Sequence, residues 1–171
     1  RATCDAALAL LQKHTPIQHL CELSPADFER LQSSLPETMR PFIRHVVTEQ
    51  ERVQHSAEAL TQGDVHRFGA LMNASHQSLR DDYQVTGIEL DTIHAESLKL
   101  PGVLGCRMTG AGFGGCAVAL VEQAHMAHYT DALTHAYQTA IGYPPAIYPV
   151  QVGDGMRELS LHPTHQQDQT P

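Results

Sequence analysis

The chain has 171 residues, enough for one domain whose core needs neither metal nor disulfide support. Its 42% hydrophobic and 18% charged residues give a globular composition, and a formal net charge of −8 with few, scattered basic residues argues against a nucleic-acid partner. No apolar run approaches a membrane span, and the four cysteines form no CxxC pair, which points to reduced thiols in a cytoplasmic protein.

The first residues show neither an initiator Met nor a signal-peptide pattern, so Arg1 reads as the continuation of a longer chain. Residues 2–13 are predicted helical through Ala6, Leu8, Leu10 and Leu11, with Pro16 enforcing the stop. Ser24 and Pro25 read as the cap and first position of a short helix to about residue 34. Pro36 opens the longest helical stretch, to about residue 62. Phe42, Val46, Val53, Ala57 and Leu60 are expected on its apolar side, with Glu49, Gln50, Glu51 and Arg52 facing away. Gly63 reads as its stop and Asp64 as the cap of the next helix, which carries Val65, Phe68, Leu71, Met72 and Leu79 on one side. So short a link makes the two helices antiparallel neighbours. Thr86 to Glu89 has capping-box form before a helix reaching residue 100, with Ile88, Leu90, Ile93 and Leu98 apolar.

Beyond Pro101 and Gly102 the pattern changes. Residues 103–109 and 116–121 are predicted strands around a glycine-rich link, and 123–141 a final amphipathic helix ended by Gly142. Residues 146–152 read as another strand, 153–155 as a turn and 156–161 as a last short strand, with a polar tail at 162–171. The expected fold class is α+β, a helical bundle packed on a small antiparallel sheet.

The most informative stretch is Gly110, Ala111, Gly112, Phe113, Gly114 and Gly115. Four glycines in six residues cost backbone entropy, tolerated where positive φ is needed or a ligand must approach the main chain. A bulged hairpin turn with no ligand is the other reading. The dinucleotide fingerprint fails on context, because a strand follows where a helix should open, and Asp131, the acid at suitable spacing, lies in a helix. The protein-kinase loop lacks the downstream chain for its partner motifs, and the Walker loop lacks its Gly-Lys-Ser/Thr.

In its full context, RMTGAGFGGC at residues 107–116 resembles the third signature motif of the galactokinases, which are GHMP-type sugar kinases. RHVVTEQER at 44–52 is similar to a second family segment, with Gln50 where Asn is common. LMNASHQSLRDDY at 71–83, ELD at 89–91 and GDG at 153–155 resemble three more, in family order. The resemblance implies a C-terminal GHMP-kinase domain over residues 1–161, followed by the tail. It implies transfer of the ATP γ-phosphoryl group to O1 of galactose, with Mg2+. The nucleotide-wrapping motif, the catalytic Asp and the early motif with the catalytic Arg are absent from this sequence, and by the resemblance the sugar-contacting tyrosine of the family would fall just before Arg1. An N-terminal domain of the same enzyme is therefore the implied partner, the cleft lying between the two, and this chain alone is expected to be inactive. The loop would bring backbone N–H groups close to the sugar and the transferred phosphoryl. A non-catalytic galactose or ATP sensor keeping the third motif is the alternative. Mevalonate and homoserine kinases share the fold but typically lack Phe113 and the 71–83 segment.

Other clusters carry less. His125, His128 and His135 lie near one helical face but fall short of a four-ligand zinc site. Ser75 and His76 with Asp81 or Asp82 suggest a triad but lack a nucleophile elbow. Arg107 in its strand needs a partner, either a buried acid such as Glu49 or Asp82, or a phosphate or domain-interface contact.

Overall fold

The computed structural model describes residues 1–151 and 153. Among these residues six α-helices and a two-stranded sheet follow in order: α1 (Ala2–Leu11), α2 (Pro25–Leu31), α3 (Arg40–Thr61), α4 (Val65–Ser78), α5 (Ile88–Ser97), β1 (Val103–Thr109), β2 (Cys116–Val121) and α6 (Met126–Ile141). The α+β reading is therefore correct. The second half of the predicted 153–155 turn, the 156–161 strand and the 162–171 tail lie outside the described residues.

Local chemistry sets most boundaries. The Ser24 hydroxyl accepts the Asp27 N–H at the start of α2, with Pro25 in the first turn. Gly63 turns the chain at φ +70°, and the Asp64 carboxylate accepts the Arg67 N–H, so α3 ends and α4 begins within one tight turn. Helix α4 continues as a π-helical turn, Leu79–Tyr83, and Gln84 stops it in the left-handed region at φ 59°.

The first core lies under α1, α2 and α3, where Leu11, Phe28, Ile43 and Val47 are buried. Each such side chain contributes roughly 1.5–3 kcal/mol by leaving water. A second, smaller core of Leu79, Leu90 and Met108 lies where α4, α5 and β1 meet. Helix α6 closes the other side of α5, with the Tyr129 hydroxyl 2.9 Å from the Ser97 hydroxyl.

Strands β1 and β2 pair antiparallel from Val103 opposite Val121 to Thr109 opposite Cys116. The free edge of β1 is occupied by α4. Gly69 and Gly105 touch backbone to backbone, so closely that a Cβ on Gly69 would lie 2.2 Å from the Leu104 carbonyl oxygen. At that distance two edge N–H groups of β1 reach side chains of α4. Cys106 N–H donates to Asn73 Oδ1 at 2.8 Å, and Met108 N–H donates to His76 Nδ1 at 3.1 Å. Gly69, Asn73 and His76 recur at helical spacing, so one face of α4 does the work of a third strand.

Fully buried His76 stacks on His94 of α5, the ring centroids 4.1 Å apart and the planes 12° from parallel. Burial lowers the His76 pKa against the pull of Asp91. Burial, reinforced by the neighbouring His76, pushes His94 down to about 4, and its Nε2 has no hydrogen-bond partner among the described residues.

Several expectations need correction. On α3 the buried positions are Ile43, His45, Val47 and Ala59, while Val53 and Leu60 are more than half exposed. Glu49 and Arg52 face inward, because Ser75 of the facing helix donates to Glu49, and Arg52 is held by Glu49 and Thr48 of its own helix. Val65, Ile88 and Leu98 are exposed on their helices. The Thr86 capping box does not form. Gly87 at φ 100° is the cap of α5, and Thr86 is buried with its carbonyl engaged elsewhere. Residues 146–151 make no ladder, and Tyr148 and Val150 are exposed, because among the described residues no strand lies beside them.

Two measurements test this packing. Gly69→Ala forces a methyl group into the Leu104 carbonyl and is expected to cost about 3 kcal/mol in urea unfolding. Gly63→Asn, with open space around it, is expected to cost under about 1 kcal/mol. The second concerns pH. Because the folded pKa of His94 lies below its ordinary 6.5, its neutral form stabilises the fold fully above pH 6.5. That contribution, about 3 kcal/mol, is lost as pH falls from 6.5 to about 4. His94→Phe keeps the stack without the titration and is expected to flatten the stability–pH slope in that window, measured by chemical denaturation.

Candidate functional site: the glycine loop and its seat

Residues 110–115 join β1 to β2 in an unusual backbone. Gly110, Gly112 and Gly114 have φ of 77°, 84° and 82°, and Phe113 between them has φ 57°. A bulky residue in the left-handed region is strained and persists only where its surroundings fix it. Here the seat is the linker between α4 and α5. Phe113 N–H donates to the Val85 carbonyl at 2.8 Å, and Gly114 N–H to the Thr86 carbonyl at 3.3 Å. Gly115 N–H turns back to the Gly112 carbonyl at 3.3 Å. A Cβ on Gly112 would stand 2.0 Å from the Val85 oxygen, so only glycine allows this approach. The Phe113 ring is left 76% exposed, beside Tyr83, Gln84 and Val85.

The loop thus spends the N–H groups of 113 and 114 on its seat and that of 115 on its own Gly112 carbonyl. The expectation that these glycines present free backbone donors to a phosphate does not hold at those three positions. They shape a rigid ridge with an aromatic side chain at its crest.

Arg107 lies just before the loop. Its Nε donates to the Met108 carbonyl at 3.0 Å, and its guanidinium stands 3.6 Å from Glu49 Oε1. Glu49 also accepts from Ser75 at 2.5 Å and from Arg52 at 2.7 Å. Burial alone would raise the Glu49 pKa, but the Ser75 hydroxyl and the two arginines outweigh it and hold the carboxyl below its ordinary range. Asp82, the other acid considered for Arg107, is held by Arg44 at 3.2 Å and by Ser78 at 2.9 Å. Ser78 in turn meets His45 Nδ1 at 3.0 Å. The 44–52 and 71–83 segments therefore zip together across α3 and α4 as 44 with 82, 45 with 78 and 49 with 75.

The other clusters do not assemble. Ser75 faces Glu49 and His76 faces Met108 and Asp91, so no triad forms, and Asp81 pairs with Arg80. His128, His135 and Asp131 are exposed on α6, and His125 pairs with Glu122. Among the described residues no group of three or more His, Cys, Asp or Glu side chains is gathered to hold a metal ion.

Sequence reasoning missed the Val85 and Thr86 carbonyls, the Gly69–Gly105 contact and Asn73. The recurrence of Gly69, Asn73 and His76 at one helical face was the available signal for the last two.

Comparison with known proteins agrees with this geometry. Residues 56–138 match the family model of the GHMP kinases C terminal domain. A galactokinase of Enterococcus faecalis is 48% identical over 93% of this chain and 41% of its own length. One from Exiguobacterium sibiricum is 48% identical over 93% of this chain and 40% of its length. The crystal structure of Lactococcus lactis galactokinase complexed with galactose superposes with a TM-score of 0.87 at 43% identity, over 92% of this chain and 41% of that one. The chain thus spans about two fifths of the length of the relatives it matches. Residues 56–138 therefore carry a GHMP kinases C terminal domain, and the chain over most of its length is similar in sequence and fold to part of the galactokinases.

Proposed function

We propose that this chain is the C-terminal part of a galactokinase that transfers the γ-phosphoryl group of ATP to O1 of galactose, giving galactose 1-phosphate. The 110–115 loop carries the proposal. Its strained, glycine-dependent ridge is held by main-chain hydrogen bonds to the 85–86 linker and is built more rigidly than a plain hairpin turn requires. We assign residues 1–161 to the domain and 162–171 to a tail, in a cytoplasmic enzyme. No helix among the described residues is long and apolar enough to cross a membrane.

The described residues do not on their own fit ATP or Mg2+. The loop N–H groups at 113–115 are engaged, Arg107 is paired with Glu49, and no acidic cluster is gathered for a metal. Nucleotide, metal and catalytic base then belong to the N-terminal domain that completes the cleft. ATP with its metal supplies the phosphoryl group when bound there. This chain supplies shape. Gly112 lets the loop lie flat on the linker, Gly114 carries the chain past Glu89, and Phe113 projects its ring outward. Such a wall positions the sugar hydroxyl and excludes water that would otherwise accept the phosphoryl group. Arg107 supports the loop from behind by tying β1 to α3.

Galactose-dependent ADP release should appear when the chain is joined to its upstream sequence and be absent from the chain alone. Galactose binding without turnover in the joined form would replace the kinase by a non-catalytic sensor. In the joined form Gly112→Ala, which cannot coexist with the Val85 carbonyl, and Gly114→Ser are each expected to lower kcat roughly 100-fold. Unchanged turnover in both would remove the loop from the mechanism.

A further inference from the structure

The loop has two attachments. Its ends continue into β1 and β2, and its crest rests on the 85–87 linker that leads into α5. If these two supports moved independently, the ridge would have no fixed position. One side chain joins them. His76 Nδ1 accepts the Met108 N–H at 3.1 Å, one residue before the strand end, and its Nε2 lies 3.2 Å from Asp91 Oδ1 in the first turn of α5. Asp91 N–H donates to the Gly87 carbonyl at 3.0 Å, which anchors that turn to the linker. His76 is fully buried, and its ring is pinned face to face by His94.

We propose that His76 is a positioning residue for phosphoryl transfer, clamping the root and the seat of the 110–115 loop in one register. The inference rests on the kinase reading, in which the loop walls the reacting centre. Geometry sets the tautomer. Nδ1 faces an N–H and must carry the lone pair, so the proton sits on Nε2 and is donated to Asp91. The ring thus accepts from the strand and donates to the helix at once, a pairing that aliphatic side chains cannot make. His76 touches no reacting atom. It acts through Met108 and Asp91, and its effect is on where the loop stands.

The test compares His76→Leu with His76→Asn in the full-length protein. The two replacements have nearly the same shape, but only Asn can offer an oxygen to the Met108 N–H. Amide hydrogen exchange over residues 108–115 and steady-state kinetics are measured together. His76→Leu is expected to speed exchange of that segment by at least about tenfold and to lower kcat about tenfold, with the galactose KM within about twofold. His76→Asn is expected to recover part of both effects. Exchange within about twofold of the parent in His76→Leu, or no advantage of Asn over Leu, would overturn the proposal. Should the Leu variant not fold, nitrogen NMR of the unaltered protein decides instead. A proton on Nε2 with a hydrogen bond from Met108 to Nδ1 supports the clamp, and a proton on Nδ1 sinks it. If the unaltered protein fails to phosphorylate galactose, the kinase reading falls, while the exchange comparison still judges the clamp by itself.

Discussion

The structure depends on how closely α4 lies along the free edge of β1. A two-stranded sheet leaves one row of N–H and C=O groups on each strand without a ladder, and buried donors must be satisfied. Here the contact between Gly69 and Gly105 removes the space that side chains would otherwise hold between helix and strand. Only then can Asn73 and His76 reach the N–H groups of Cys106 and Met108. A helix normally keeps its polar groups to itself, so the pairing has to come from side chains, and their spacing has to match the two-residue repeat of a strand. Asn73 and His76 are three residues apart, a rise of roughly 4.5 Å. The N–H groups they meet are two strand residues apart, roughly 6.6 Å.

The second ordering element is the polar zipper between α3 and α4. Arg44 with Asp82, His45 with Ser78 and Glu49 with Ser75 follow one antiparallel register. Slipping that register would strand the Glu49 carboxylate, which is largely withdrawn from water and keeps its charge only because Ser75, Arg52 and Arg107 face it. Breaking one partner of such a group costs more than the pair contributes when intact. The zipper therefore specifies alignment more than it adds stability. Through Arg107 it carries that alignment onto β1, and so to the base of the loop.

Much of this was legible in the sequence. Both strands were read with the observed bounds, because apolar runs flanked by glycine and proline leave little choice. The Ser24 cap and the Gly63–Asp64 turn were legible because capping chemistry is local. The α3 surface was not. Periodicity counts apolar residues, and on this helix the inward face includes Glu49 and Arg52, of which Glu49 meets Ser75 and Arg107 far along the chain, while Val53 and Leu60 stay exposed in a groove of about 600 Å³. The strand expected at 146–152 failed for a related reason. Its composition suits pairing, but a strand is a relation between two segments, and no second segment stands beside 146–151 among the described residues. The glycine motif was found at once, yet its N–H groups were expected to face a ligand. The use of two of them on Val85 and Thr86 depends on a linker 28 residues earlier, which no local pattern reports.

That use also separates two ways in which a glycine-rich loop can serve phosphoryl transfer. A loop with free N–H groups works by charge, since aligned donors attract the phosphate oxygens. A loop whose N–H groups are spent works by shape, since it fixes where a substrate can sit and where water cannot. The first kind tolerates some movement, because an electrostatic attraction falls off gradually with distance. The second does not, because a wall displaced by about 1 Å admits water or misplaces the hydroxyl that must attack. Loops of the second kind accordingly need stiff supports. Here the supports are the left-handed Phe113 held by Val85, the arginine behind the strand paired with Glu49, and a buried histidine bonded through both ring nitrogens. On the proposed kinase reading this chain presents a ridge without charged side chains to the reacting centre, and its formal net charge of −8 leaves the attraction of a polyphosphate to the rest of the enzyme.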